Sequence, residues 1–377
     1  MTDRDKLNQE ELRRYARHLA LPGFGMEGQQ KLKMAKVLVL GAGGLGAPVL
    51  LYLAAAGVGH IGIVDFDRVE DTNLQRQVLY TIEDVGQFKA EAARRRLLAL
   101  NPHIKVEAFT IPFQRENALE LIAPFDIVVD GTDNFPTRYL SNDACVLAGK
   151  PLIYGSIFRF EGQVSVFNYL LENGERGPNY RDLFPTPPPP ELVPNCAEGG
   201  VLGVLPGIIG SMQANEAIKV LTGIGQPLAG KLLLFDAASF SSRILNIPKN
   251  PGLEIKELID YEQFCAPSPP EPVQEVSVEE LQELLVEKAD IQLIDVREPF
   301  EYGIANLGGA LIPPSEILET AGRISHDKKV ILYCRTGKRS AEAIRQLKQH
   351  YGLENLYNLK GGILAWAQEI DPSMKQY

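Results

Sequence analysis

A chain of 377 residues, 45% hydrophobic and 23% charged, exceeds one ordinary domain and has the balance of a globular protein, so two or three domains are expected. Its 38 Lys and Arg stand against 48 Asp and Glu, a net charge of −10 that argues against nucleic acid as a partner of the whole surface. The polar start MTDRDKLNQEELRRYARHLALPG lacks the apolar centre of a secretory signal, and no apolar run nears the ~20 residues of a membrane span, so a cytoplasmic location and no membrane partner are expected.

KVLVLG at 36–41 reads as a buried strand and LGAPVLLYLAAAG at 45–57 as an apolar helix. Between them GAGGLG gives Gly41, Gly43 and Gly46 the G-x-G-x-x-G spacing that lets backbone approach a phosphate at a helix N-terminus. HIGIVDFD at 60–67 is a second strand, and Asp65 at its end is placed for ribose hydroxyls. These marks alone suit a dinucleotide equally well, and the glycines equally suit plain helix-on-strand packing. DFDRVEDTNLQRQ then supplies Asn73, Gln75 and Arg76, and the helix KAEAARRRLLAL at 89–100 opens on Lys89. FDIVVDGTDN at 125–134 is another buried strand ending on Asp130 and Asp133, with TRYLSNDACVLAG as the next helix. Continuous apolar strands alternating with helices predict an α/β fold with a doubly wound parallel sheet, whose ligand side is the carboxyl end of the strands. Two cations and a carboxylate gathered there fit ATP and Mg²⁺ better than a nicotinamide.

RDLFPTPPPPELVPNCAEGG at 181–200 is too rich in proline for helix or central strand and is expected as a surface loop. CAPSPPEPVQEVS at 265–277 reads as a linker, leaving one domain over 1–264 and a smaller one over 278–377. In the second, VILYC is a strand and GKRSAEAIRQLKQH a helix, so Cys334 lies in the turn between them with Arg335, Lys338 and Arg339 nearby. Backbone N–H groups, a helix N-terminus and three cations there all favour a thiolate. The four cysteines, Cys145, Cys196, Cys265 and Cys334, are widely spaced and form no CxxC pair, so free reduced thiols are expected.

RYARHL, GAGGLG, DFD, TNLQRQ, VGQFKAE, DGTDNFPTRY, NCAEGGVLGVLPG and EAIKVLTG together resemble the ThiF/MoeB family of ubiquitin-activating-enzyme-like adenylyltransferases. The resemblance implies a Rossmann-like fold and activation, as an acyl adenylate, of the C-terminal Gly-Gly carboxylate of a small ubiquitin-like sulfur carrier of the MoaD/ThiS kind. It also implies that Gly44, Asp65, Asn73, Arg76, Lys89, Asp133 and Asn134 hold ATP, with Asp67 of the DFD motif grouped with them and Asp133 near Mg²⁺. Arg17 matches the arginine that reaches the nucleotide of the other subunit, so a homodimer is implied. Many relatives bind structural zinc through two CxxC pairs, but this chain has Asn179 and Asp182 where the first would fall and Cys265 alone at the second, so no structural zinc is expected.

VSVEELQELL, QLIDVREPFEY, GGALIP, VILYCRTGKRS and LKGGILAWAQE resemble, in order, a rhodanese domain, with Asn306 in NLGGA departing from its usual motif. Asp295 and Arg297 then organise the domain. CRTGKR is a C-x4-R loop, one residue shorter than that of related phosphatases, and its tighter ring of N–H groups suits a single extra sulfur, which makes Cys334 a persulfide carrier. The resemblance further gives Cys196 a transient bond to the carrier, as thioester or as resolver of an acyl disulfide. A cysteine desulfurase or thiosulfate would be the sulfur donor. Molybdopterin, thiamine and tRNA-thiolation pathways all remain open. The rival functions are an NAD-dependent oxidoreductase, which explains only GAGGLG and Asp65, and a non-catalytic scaffold, which has no use for Asp133, Lys89 or Cys334.

Overall fold

The structure is a computed structural model describing residues 6–187, 200–266 and 271–375; Cys196 lies outside the described residues. The chain divides into two units, Met1–Pro267 and Ser268–Tyr377. Among the described residues no helix is long and apolar enough to cross a membrane.

In the first unit, α1 (Gln9–Arg14), α2 (Ala16–Leu19) and α3 (Gly25–Met34) precede β1 (Lys36–Leu40). Asn8 and Glu11 form a reciprocal capping box that starts α1. There follow α4 (Gly46–Ala56), β2 (His60–Val64), α5 (Lys89–Leu100), β3 (Lys105–Phe109), α6 (Ala118–Ile122), β4 (Ile127–Asp130), α7 (Phe135–Leu147) and β5 (Leu152–Phe158). After these come β6 (Glu161–Phe167), α8 (Tyr180–Leu183), α9 (Leu205–Thr222), β7 (Lys231–Asp236), β8 (Ser241–Asn246) and α10 (Tyr261–Cys265).

The eight strands form one sheet in the order β3-β2-β1-β4-β5-β6-β7-β8. The first five are parallel, and β1 lies between β2 and β4, so the direction of winding reverses beside β1 and opens a crevice at the strand ends. Val37 to Leu40 are buried on both faces, as continuous apolar strands of a covered sheet must be. The expected parallel sheet is in fact mixed: β5 to β8 run antiparallel. The cause is local, since Phe158 pairs with Glu161 across a two-residue turn that Arg159 enters at φ 53°, returning the chain without a crossover helix. The expected 181–200 loop also gives way at its start, where α8 is capped by the Asn179 side chain.

A buried polar cluster ties α7, α8 and α10 together. Arg181 donates to both oxygens of Asp143 (2.8 and 2.7 Å), and the Tyr261 hydroxyl donates to the same carboxylate at 2.8 Å. Asn179 and Asp182, where zinc-binding relatives would carry a CxxC pair, instead cap α8 and take the Asn250 N–H. Cys265 ends α10, and burial pushes its thiol up to about 11. Asp143→Ala strands the Arg181 guanidinium and is expected to cost about 3–5 kcal/mol of stability, read as a shifted denaturation midpoint of a fully folded variant. An unchanged midpoint would show that the cluster holds nothing together.

The second unit runs β9 (Gln274–Val276), α11 (Val278–Val286), β10 (Ile291–Asp295), α12 (Pro299–Ile304), β11 (Ala310–Leu311), β12 (Lys329–Tyr333), α13 (Lys338–Tyr351), β13 (Leu356–Leu359) and α14 (Gly362–Glu369). Regular structure thus enters both ends of the 265–277 stretch, through Cys265 of α10 and through β9. Its five strands are parallel in the order β11-β10-β12-β13-β9. On central β12, Val330 and Leu332 pack into one core and Ile331 and Tyr333 into the other, the alternation that a strand between two helical layers requires. Cys334 follows β12 directly, at the carboxyl edge of this sheet.

Candidate active sites

The glycines of GAGGLG are there for space. A side chain on Gly46 would begin 1.9 Å from the Gly41 carbonyl oxygen, and Gly41 itself stands at φ +83°. Gly44 faces Pro206 at the start of α9, 3.2 Å from where its Cβ would be. The loop is latched to β2 by Asp65, whose Oδ2 accepts the Ala42 N–H at 2.7 Å while Oδ1 accepts that of Asp67 at 2.9 Å. Burial raises the Asp65 pKa. Each of its oxygens retains a lone pair, so the same carboxylate can still accept a ribose hydroxyl.

Around this loop the structure sorts the expected ligands. Asn73 is buried and spends Oδ1 on the Glu70 N–H, which leaves its amide N–H groups to a ligand. Among the described residues the Arg76 guanidinium makes one hydrogen bond, at 3.3 Å, to the Thr72 carbonyl, and Gln75 is exposed beside Gly203. Lys89 opens α5 with its ammonium on Asp67, 2.9 Å away, so Asp67 aims the lysine and competes with any phosphate for it. Asn134 caps α7 by accepting the Thr137 N–H. Asp130 and Asp133 part company: Asp130 is buried and occupied by Thr132 and Ser141, whereas Asp133 is exposed and free of hydrogen bonds among the described residues. Asp133 is therefore the carboxylate with room for a metal ion.

Arg17 lies on α2, exposed, and among the described residues bonds to none of these groups within its own chain. Its helix is anchored next door by Tyr15, whose ring fills the space above Gly57 and whose hydroxyl accepts from Asn101 at 2.8 Å. Three further neighbours were not singled out, although Gln77 ends TNLQRQ and Arg138 lies in DGTDNFPTRY. Tyr80 and Gln77 are buried beneath the glycine loop, and Gln77 Oε1 has no hydrogen-bond partner among the described residues. Arg138, in DGTDNFPTRY, is buried, its guanidinium donates to the Thr132 carbonyl, and its Nε has no hydrogen-bond partner among the described residues. The Arg of DNFPTR was visible, but nothing local marks it as buried.

In the second unit the Cys334 thiol is 1% exposed and sits at the start of α13. Its Sγ accepts the Gly337 N–H at 3.2 Å, and the Ser340 hydroxyl lies at 3.5 Å. The loop is clamped from below: Ile363 and Leu364 donate to the Cys334 and Arg335 carbonyls (2.9 and 3.0 Å), and a Cβ on Gly362 would meet the former oxygen at 2.4 Å. The expectation that three cations bear on the thiol needs correction, because Arg339 forks onto Glu301 with two bonds of 2.7 Å. That pair braces the loop against α12, leaving Arg335 and Lys338 exposed at its mouth. Asp295 and Arg297 form a wholly buried ion pair, and Arg297 also donates to the Ala305 carbonyl, so they organise the unit. Asn306 shapes its turn by accepting from Gly308. Cys145 is buried in α7, where desolvation holds its thiol protonated.

Comparison with known proteins decides the family. The ThiF family model matches residues 15–255, and the Rhodanese-like domain model matches residues 277–369. The chain belongs to the ThiF family. It is 49% identical to the probable adenylyltransferase/sulfurtransferase MoeZ of Mycobacterium tuberculosis, over 98% of this chain and 96% of that one. It is 59% identical to the sulfur carrier protein adenylyltransferase of Thermus thermophilus, over 68% of this chain and 97% of that one. Among solved structures, E. coli MccB with ATP is similar at a TM-score of 0.55 and 25% identity, over 68% of this chain and 76% of that chain. Both resemblances drawn from the motifs, ThiF/MoeB and rhodanese, are thereby borne out.

Proposed function

We propose that this ThiF-family chain uses ATP to adenylate the C-terminal Gly-Gly carboxylate of a small ubiquitin-like sulfur carrier and then delivers sulfur from a persulfide on Cys334, leaving a thiocarboxylate. The observation that carries the reading is the pairing, in one chain, of a glycine loop latched by Asp65 at the carboxyl end of the sheet, with Lys89 opening the next helix, and a cysteine whose sulfur accepts a loop N–H. The relatives matching nearly end to end carry both activities in their names.

A carboxylate is a poor electrophile, and its attack on the α-phosphate of ATP expels pyrophosphate and replaces an oxygen by a good leaving group. Gly41, Gly43, Gly44 and Gly46 admit the phosphates, Asp65 and Asn73 address the ribose side, and Arg76, Lys89 and Arg17 of the second subunit in a homodimer offset the growing negative charge. Asp133 is the residue that would hold Mg²⁺, with Asn134 next to it in the chain, and the ion would supply neutralisation of phosphate charge; a single carboxylate suits an ion that takes most of its ligands from phosphate and water. The terminal sulfur of the Cys334 persulfide attacks the acyl carbon and displaces AMP, giving an acyl disulfide. A thiol, assigned here to Cys196, attacks Cys334 Sγ and releases the thiocarboxylate, and the disulfide left behind is returned to two thiols by an external reductant. Thiosulfate recharges Cys334 with release of sulfite. Cytoplasmic reducing conditions keep these thiols free.

The test is to incubate the chain with ATP, Mg²⁺, thiosulfate, a thiol reductant and a MoaD/ThiS-like carrier ending in Gly-Gly, and weigh the carrier. A gain equal to one sulfur replacing one oxygen is expected, dependent on ATP and on thiosulfate. Pyrophosphate release without that gain would reduce the reading to adenylation alone, and absence of both would overturn it.

A further inference from the structure

We propose that Tyr80 is a positioning residue of the nucleotide site: its hydroxyl holds the glycine loop and the first turn of α5 at the separation at which loop N–H groups and Lys89 act on one triphosphate. This rests on the adenylation reading above and adds to it a residue that no motif contains. The Tyr80 hydroxyl is buried and has one hydrogen to share between two carbonyls, Ala42 of the glycine loop at 2.8 Å and Lys89 at 3.2 Å. Among the described residues no other donor reaches the Ala42 carbonyl.

Three segments that address the nucleotide therefore meet at one oxygen atom. The Ala42 peptide is held on its N–H side by Asp65 and on its carbonyl side by Tyr80. Lys89 is held by its backbone N–H on the Asp67 carbonyl, by its ammonium on the Asp67 carboxylate, and by its carbonyl on Tyr80. Tyr80 itself closes the stretch that begins with Asn73, Gln75 and Arg76. Asp67 ties Lys89 to the end of β2 and, through Asp65, to the Ala42 N–H, so the hydroxyl is the direct bond between the first turn of α5 and the carbonyl side of the glycine loop. Without it the Ala42 carbonyl loses its restraint, ATP binding has to supply part of the order that the wild-type chain already possesses, and the larger loss should fall on the phosphate-bearing part of the ligand.

Tyr80→Phe keeps the buried ring and removes the bond. In the full chain, the calorimetric Kd for ATP is expected to rise about 5- to 10-fold, the worth of one buried hydrogen bond, with the thermal midpoint showing a folded protein. Adenosine, which has no phosphates, should bind within about twofold of wild type, because Asp65, the residue assigned to its ribose, keeps its own bond to the Ala42 N–H. In a Lys89→Met background Tyr80→Phe should weaken ATP binding less than it does in the parent, since part of its effect runs through Lys89. An unchanged ATP Kd, equal weakening of ATP and adenosine, or full additivity with Lys89→Met would each overturn the proposal. Carrier-dependent pyrophosphate exchange by the wild-type chain tests the adenylation reading separately, so failure of that reaction and failure of the Tyr80 bond are told apart.

Discussion

Cys334→Ala is expected to lower sulfur transfer from thiosulfate by at least about 10³-fold, the scale on which removal of a nucleophile acts. Carrier-dependent ATP–pyrophosphate exchange should stay within about twofold of wild type, as for independent sites. In the proposed sequence of steps the thiol enters only after the adenylate has formed, and Cys334 belongs to a different unit from Gly41, Lys89 and Asp133. Alanine suits the position because the backbone of the loop is held by Ile363, Leu364 and the Arg339–Glu301 pair rather than by the sulfur. Loss of both activities in a folded variant would break the two-site division. Persistence of sulfur transfer would move the persulfide to another thiol.

What the sequence made legible is what is local. Four apolar residues at Val37 to Leu40, followed by glycines, specify strand and loop because the chain there has no second way to bury the one or avoid the steric limits of the other. Cys334 before a glycine and a helix start is legible for the same reason. The antiparallel half of the sheet was less so: β8, Ser241–Asn246, is exposed along its whole length, so it carries no buried face to register. Nor could motifs show that Arg339 is spent on Glu301, that Asp143 collects Arg181 and Tyr261, or that Tyr80 reaches Ala42. Each is a pairing between elements distant in sequence, and a single sequence records the two partners without recording that they meet. Lys89 illustrates the limit: its place at the head of a helix was readable, but the Asp67 carboxylate that holds its ammonium was grouped with the nucleotide ligands and not with the lysine.

The second large effect concerns Arg17. Within its own chain it bonds to none of the nucleotide groups among the described residues, and the resemblance implies that it serves the nucleotide of a second subunit, which is the role proposed for it. Arg17→Ala and Asp133→Ala should each lower adenylation by about 10²–10³-fold, the usual cost of removing one group that stabilises developing charge. If Arg17 works in trans, subunit exchange between the two variants creates heterodimers in which one site carries both lesions and the other neither. Random exchange at equal amounts makes half of the dimers mixed, each with one intact site of two, so adenylation should recover to about a quarter of wild type if sites act independently. Mass spectrometry of differently labelled subunits verifies the exchange. Full exchange with no recovery would place Arg17 at its own subunit's site, which removes the trans arginine, or show that both sites of a dimer must work together, which removes the independence assumed here.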